Sequence, residues 1–433
     1  MEVIKYPNRE TFAHISIRPE LDRHALEKTV ATILEMVKKK GDLALKQYSR
    51  KFDRVDIENF QVSSKEIENG INTIPNDLKD KIKISQKNIE KFHSSQVQPT
   101  QIVETSPGVK CWRKTIPIDK VGLYVPGGST PLFSTLLMLG VPARLAGCQE
   151  IIVCTPPNEQ GFIDNTILYI AHELGIKYLF KIGGAQAIAA MAFGTESVPH
   201  VYKIFGPGNQ YVTVAKQLVQ MQGVAIDMPA GPSEVVIIAD NSANPAFIAS
   251  DLLAQAEHGP DSQVLLVSID EKMIDQVQDQ LLLQLKMIPR RKIAEQALQN
   301  SKLVLVKDID TAIELINTYA PEHLILSVSD PHSISSLVKN AGSVFLGPYT
   351  PESAGDYASG TNHTLPTNRY ARMYSGVSLD SFLKTITFQE ISAEGLQQLG
   401  PVIQKLAERE NLFGHSSSVA VRLDQLKEKN NGH

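Results

Sequence analysis

Apolar positions along this chain change their spacing twice, and the changes divide it into three stretches. From about residue 18 to 110 they recur at helical intervals. LDRHALEKTVATILEMVKKKGDLALKQYSRKF carries such a stripe, broken near Gly41, and the stretch after Asn76 repeats it. From residue 120 short, nearly continuous apolar runs take over: VGLYV, EIIVCT, YLFKIG, VYKIFG, EVVIIA, QVLLVS, KLVLVK, HLILSVS and SVFLG. Helix candidates lie between them, among them Ala185–Phe193, Asn209–Gln222 and Pro245–His258. A strand that is apolar on both sides must be covered on both sides, so this alternation predicts parallel sheets flanked by helices. The nine runs fall into blocks of roughly 120–235 and 235–347. Two lobes of similar build are expected, with a duplicated unit left open because residue-level similarity is weak. After residue 376 the pattern is helical again through Ala393–Asn411, and the polar KEKNNGH end is expected to fray.

The fold class that follows is α/β: two Rossmann-like parallel-sheet lobes, a helical N-terminal region and a small C-terminal part. The expected boundaries are an arm over 1–20, a first α/β lobe from 21–115 plus 235–375, a second α/β lobe over 116–234, and a small helical region over 376–433.

Composition narrows the function classes. The 433 residues exceed one ordinary core and need no disulfide or metal merely to fold. With 43 basic and 47 acidic residues the net charge is −4, which gives no reason to expect nucleic acid or a membrane surface as partner. The three cysteines, Cys111, Cys148 and Cys154, form no CxxC pair, as expected of thiols in a reducing compartment. MEVIKYPNRETF has no continuous apolar core of a secretory signal, and the longest apolar run, Leu132 to Ala146, is broken by Pro142 and Arg144. A soluble, cytoplasmic protein is expected.

Four segments hold residues able to do chemistry. In Asp251-Leu-Leu-Ala-Gln255-Ala-Glu-His258-Gly259-Pro260 the Gly-Pro pair marks a helix end, Gly259 as a residue that tolerates a left-handed turn. Gln255 and His258, three apart, share a face of the last turn, and an imidazole nitrogen beside an amide oxygen suits a borderline cation. Taken alone, the pair is a weak signal and reads first as a capping or hydrogen-bonded histidine. Ala320-Pro321-Glu322-His323 precedes a strand, and Glu322 and His323 are candidate neighbouring bases. Side chains alternate along a strand, so sharing one cavity requires a turn or bulge here. Pro351-Glu-Ser-Ala-Gly355-Asp356-Tyr-Ala-Ser-Gly360-Thr-Asn362-His363 reads as a loop in which Asp356 is a hard ligand or a turn residue. Glu410-Asn-Leu-Phe-Gly414-His415 reads as the end of the last long helix, with Gly414 making the turn. Glycine turns after strands, at Gly127-Gly128, Gly183-Gly184 and Gly206-Pro-Gly208-Asn209, could present backbone N–H groups to a phosphate. None completes G-x-G-x-x-G, since Tyr211 stands where the third glycine would. His14, His24, His93, His172, His200, His332 and His433 have no partner at ligand spacing.

Together these segments resemble histidinol dehydrogenase. VGLYVPGGS, ARLAGC, GGAQAIAA, FGTESVP, KIFGPGN, AIDMPAGPSEV, SDLLAQAEHGPDSQV, PEHL, AGSVFLG and ESAGDYASGTNH follow in that family's order, over about residues 18–425. The resemblance implies an oxidoreductase of histidine biosynthesis: NAD-dependent four-electron oxidation of L-histidinol through L-histidinaldehyde to L-histidine. It implies one Zn2+ on Gln255, His258, Asp356 and His415, and bases at Glu322 and His323. It places Ser233, Gln255, His258, His323, Asp356, Glu410 and His415 around the substrate, and Tyr124, Gln186 and Asn209 around NAD. It further implies a homodimer with exchanged small domains, in which Glu410 and His415 complete the neighbouring subunit's pocket. In the implied sequence His323 takes the hydroxyl proton and Glu322 activates water on the aldehyde. Asn368-Arg369 after Leu365-Pro366-Thr367, and serine after His415, depart from the family pattern and bear on loop packing and subunit contacts. Competing readings are the same zinc and NAD chemistry on another alcohol such as sulfopropanediol, a zinc hydrolase using Glu322, and an inactive binding protein.

Overall fold

In the computed structural model, which describes residues 1–19, 23–127 and 130–431, each of the nine apolar runs forms a strand. Two parallel sheets result. One has five strands in the order Tyr178–Lys181, Glu150–Thr155, Lys120–Tyr124, Lys203–Phe205, Ala225–Ile226. The other has six, in the order Glu2–Lys5, Lys302–Leu305, Gln263–Ser268, Glu234–Ala239, His323–Ser327, Ser343–Leu346. Leaving out the edge strand Glu2–Lys5, both sheets run third, second, first, fourth, fifth in chain order. That is the doubly wound arrangement, repeated. The central strands are buried at every position, as in EVVIIA and QVLLVS, which explains why they read as continuous apolar runs.

The domain edges differ from the expectation in three places. Residues 2–5 are an edge strand of the six-stranded sheet, not a separate arm. The helices Arg23–Lys40, Asp42–Tyr48, Ser64–Thr73 and Asn76–Ser94 pack on the lobe of residues 120–226 rather than on that of 235–375. The physical reason lies in that lobe's own helices. Phe133–Ala146 and Gly184–Phe193 are apolar all round and almost wholly buried, so they require a second helical layer. The helix Glu271–Gln284 of the other lobe keeps a polar face for water. Finally, the chain divides into two compact units, residues 1–96 with 118–382, and residues 97–117 with 383–433. The second unit contains an antiparallel sheet of Ile102–Ser106, Val109–Pro117 and Leu383–Ile391, with the helices Ala393–Arg409 and Phe413–Asn431. Its strands are largely exposed and rich in polar residues, and their pairing spans some 270 positions of sequence, so no apolar run announces them.

Two helix ends also differ from the expectation. The helix Pro245–Ala256 closes on right-handed Glu257, and Gly259 is not left-handed. The turn after Arg409 is made by Asn411 at φ +60°, while Gly414 lies inside the next helix, which carries the polar KEKNN segment with it. His433 and Gly128 fall outside the described residues. Among the described residues no helix is long and apolar enough to cross a membrane.

Candidate active site

Open α/β sheets bind ligands beyond the carboxyl ends of their strands, where the strand order reverses. In the five-stranded sheet that point lies between Lys120–Tyr124 and Lys203–Phe205. The turn Gly206-Pro207-Gly208-Asn209 opens there. Gly206 has φ +123°, and a Cβ on it would sit 2.1 Å from the Tyr124 carbonyl oxygen, so only glycine allows this approach. A buried ion pair between Lys216 and Asp227 holds the turn: Lys216 Nζ donates to the Gly206 carbonyl at 2.8 Å, and Asp227 Oδ2 accepts the Gly206 N–H at 2.8 Å. In the six-stranded sheet the corresponding crevice is filled. Asp240 there accepts from the backbone N–H groups of Ser242 and Ser329 at 2.9 and 2.8 Å and from both hydroxyls.

That sheet contributes its opposite edge instead. A cavity of about 290 Å³ is lined by Gly206–Gln210 on one side and by Ser233, Glu322 and His323, at the amino ends of the strands Glu234–Ala239 and His323–Ser327, on the other. Thr135, His258, Asp356 and His363 complete the wall.

Glu322 and His323 share the cavity because the strand begins only at His323. Ala320 is left-handed at φ 53°, which turns the chain just before Glu322 and evades the alternation of strand side chains. Glu322 Oε2 lies 3.6 Å from His323 Nδ1. The backbone of one residue holds both: the Glu234 N–H donates to Glu322 Oε2 at 2.9 Å, and the Glu234 carbonyl lies 3.2 Å from His323 Nδ1. A carbonyl can only accept, so Nδ1 carries the proton and Nε2 keeps its lone pair. Nε2 is 3.9 Å from Asp356 Oδ1. Burial pushes the His323 pKa down to about 3 and that of Glu322 well above the carboxylate range.

The segment expected to be a loop is a short helix, Glu352–Tyr357. Its i,i+4 spacing puts Glu352 and Asp356 on one face. Ligand atoms of His258, Glu352 and Asp356 all lie within 4.8 Å of one another. Gln255, fully buried in the last turn of Pro245–Ala256, stands against Glu352. Burial raises the pKa of Asp356 to about 7 and that of Glu352 well above the carboxylate range. Among the described residues the ion pairs of Glu352 and Asp356 are with imidazoles, and Glu322 pairs only with His323. Two carboxylates, Glu352 buried and Asp356 partly so, with the His258 imidazole and the Gln255 amide form a donor set that a borderline dication would satisfy, so the residues present fit zinc.

Sequence reasoning missed Glu352 and His363. The E-x-x-x-D spacing was the available signal for the first. His363 is held by Thr135 Oγ1 at 3.3 Å and the Asp356 carbonyl at 3.1 Å, contacts that no local pattern reveals.

The remaining expected residues are dispersed. Asn209 lines the cavity and caps Gln210–Gln220 by accepting the Val212 N–H at 3.1 Å. Tyr124 and Gln186 are buried, and the Tyr124 hydroxyl accepts the Gly184 N–H at 3.0 Å. Glu410 and His415 belong to the second unit, and both are exposed.

Residues 16–423 match the family model described as histidinol dehydrogenase. This chain belongs to the histidinol dehydrogenase family. It is 56% identical over 427 residues to the histidinol dehydrogenase of Bacteroides thetaiotaomicron, covering 99% of this chain and all of that relative. It is 50% identical to that of Shigella sonnei over 95% of each chain. The crystal structure of histidinol dehydrogenase from Elizabethkingia anophelis superposes with a TM-score of 0.96 at 52% identity, covering 99% of both chains. The nine strands, the doubled sheet order and the cavity between the two sheets are thus features of a family member, and the family is an oxidoreductase family.

Proposed function

We propose that the chain oxidises L-histidinol through L-histidinaldehyde to L-histidine, with NAD as acceptor and one zinc ion per site. The observation that carries this reading is the meeting, in one cavity, of the bases Glu322 and His323, the His258–Glu352–Asp356 cluster and the glycine turn of the dinucleotide-type sheet. When bound, NAD would accept two electrons in each half of the reaction, and zinc on Gln255, His258, Asp356 and a His415 supplied by a second copy would orient the substrate's amino and imidazole nitrogens.

The chain's own groups supply the proton chemistry. His323 remains neutral between turnovers because burial depresses its pKa to about 3, so Nε2 is free to take the carbinol proton. The imidazolium it becomes faces carboxylates at 3.6 Å (Glu322) and 3.8 Å (Glu352) from Nδ1. Glu322 takes a proton from the water that adds to the aldehyde, and its raised pKa suits it to hold that proton near neutrality. Ser233 and His363 border the substrate space. Glu410 and His415 would complete the pocket of a homodimer. Exposed Leu406, Leu412, Phe413 and Val421, on the helices Ala393–Arg409 and Phe413–Asn431 and the turn between them, support an interface there.

Stoichiometry tests the reading. Two NADH should form per histidinol consumed, with histidine as product. One NADH per histidinol, or turnover of sulfopropanediol without turnover of histidinol, would overturn it.

A further inference from the structure

We infer that Glu352 is a positioning residue for the metal site: its carboxylate sets which end of the Gln255 amide faces the cation. The inference rests on the zinc reading above.

An amide ligates through its oxygen, because the nitrogen lone pair is delocalised into the carbonyl. Oxygen and NH2 are nearly the same size, so packing around a fully buried Gln255 cannot tell them apart. Hydrogen bonding can. The end of Gln255 turned toward Glu352 lies 2.5 Å from Oε1 and 3.2 Å from Oε2, and 3.2 Å from His323 Nδ1. A dication bound beside Glu352 keeps its carboxyl ionised, and a carboxylate only accepts, so the end that meets it must be NH2. His323 does not compete for this bond, since its Nδ1 proton is directed at the Glu234 carbonyl. With NH2 held by Glu352, the Gln255 oxygen points away from that carboxylate and is left for the ion. The reversed amide would set a carbonyl oxygen against a carboxylate and offer the ion a group that cannot bind it.

Local structure fits this role. Glu352 is 1% exposed and begins the same short helix that carries Asp356 one turn later. A single element therefore supplies one ligand and the orienting partner of another, as outer carboxylates commonly do for metal-bound imidazoles. Glu352 is also near enough to His258 and Asp356 to be a ligand itself, and the two roles separate in a double-mutant cycle.

The experiment measures zinc affinity of the full-length enzyme by chelator competition, with no substrate present. The variants are Glu352→Gln, Gln255→Ala and the pair combined, with folding followed by near-ultraviolet circular dichroism. Glu352→Gln should weaken zinc binding by about 10- to 100-fold. In the Gln255→Ala background the same change should cost only a few-fold, the share due to lost charge. Unaltered affinity in Glu352→Gln overturns the inference. Equal losses in both backgrounds also overturn it and make Glu352 a ligand in its own right. Glu352→Leu serves as a second variant, and misfolding of both would overturn the inference by assigning the residue to the fold. Wild-type enzyme that takes up no zinc would instead sink the metal reading, a separate result.

Discussion

Replacing Arg18 by methionine should be among the most damaging single changes outside the cavity. Arg18 and Glu234 form a bidentate pair, Nε to Oε2 at 2.7 Å and Nη2 to Oε1 at 3.1 Å, with side chains only 4% and 1% exposed. The guanidinium also donates to the carbonyls of Ser16 and Tyr319, each at 2.8 Å, and lies 3.6 Å from the centre of the Tyr319 ring. Arg18→Met leaves Glu234 buried with one good donor among the described residues, the Asn368 N–H at 3.0 Å; the Tyr319 hydroxyl, at 3.4 Å, is already engaged with Gln263 at 2.6 Å. Stranding one member of a buried pair costs about 3–5 kcal/mol. The damage should reach the reaction as well, because the Glu234 backbone holds both Glu322 and His323. The lone tryptophan, Trp112, belongs to the second unit and is a poor reporter for this one. The assay is therefore hydrogen exchange of the strands Glu234–Ala239 and His323–Ser327, with kcat measured in parallel. Arg18→Met combined with Glu234→Met should recover most of the stability, since an apolar pair of similar volume needs no counter-charge, while kcat stays low. A loss below about 1 kcal/mol for Arg18→Met, or a double variant less stable than the single one, would refute the reasoning.

Three further outcomes are expected. His323→Gln should lower kcat by about 10²–10⁴-fold with little change in the KM for NAD, and a near-normal kcat would remove His323 from the proton chemistry. Gly206→Ala forces a Cβ to within 2.1 Å of the Tyr124 carbonyl at φ +123°. Strain of about 1–3 kcal/mol should appear as NAD binding weakened by about 5- to 150-fold, read by titration of the cofactor. His93 is fully buried, its Nε2 without a partner among the described residues and its Nδ1 3.1 Å from Gln96 Oε1, and burial lowers its pKa below 6.5. The unfolded chain then takes up a proton that the folded one refuses, so this contribution is complete above pH 6.5 and is lost as pH falls below it. Urea midpoints measured on either side of that pH should converge in His93→Leu, and an unchanged difference would exclude His93 as the cause.

Much of this molecule is determined locally. EVVIIA, QVLLVS and the other apolar runs can only be strands covered on both faces, and the helices between them are long enough to return the chain for parallel pairing. That suffices for two α/β lobes, and the ordered motifs suffice for the family. Tertiary structure decided the rest wherever partners lie far apart in sequence. The strands Val109–Pro117 and Leu383–Ile391 show no continuous apolar run because one side faces water, and each is defined only by the other. The N-terminal helices carry stripes that do not say which lobe they cover; the all-apolar helix Gly184–Phe193, needing a second layer, settles it. In the cavity, sequence could nominate Glu322, His323, Gln255, His258 and Asp356 one by one. That the backbone of Glu234 restrains both bases, and that the Gln255 amide lies between the Glu352 carboxylate and the His323 imidazole, are matters of three-dimensional distance. Hydrophobic periodicity records which side of an element is buried, but not which element buries it, and chemistry at a site depends on the second.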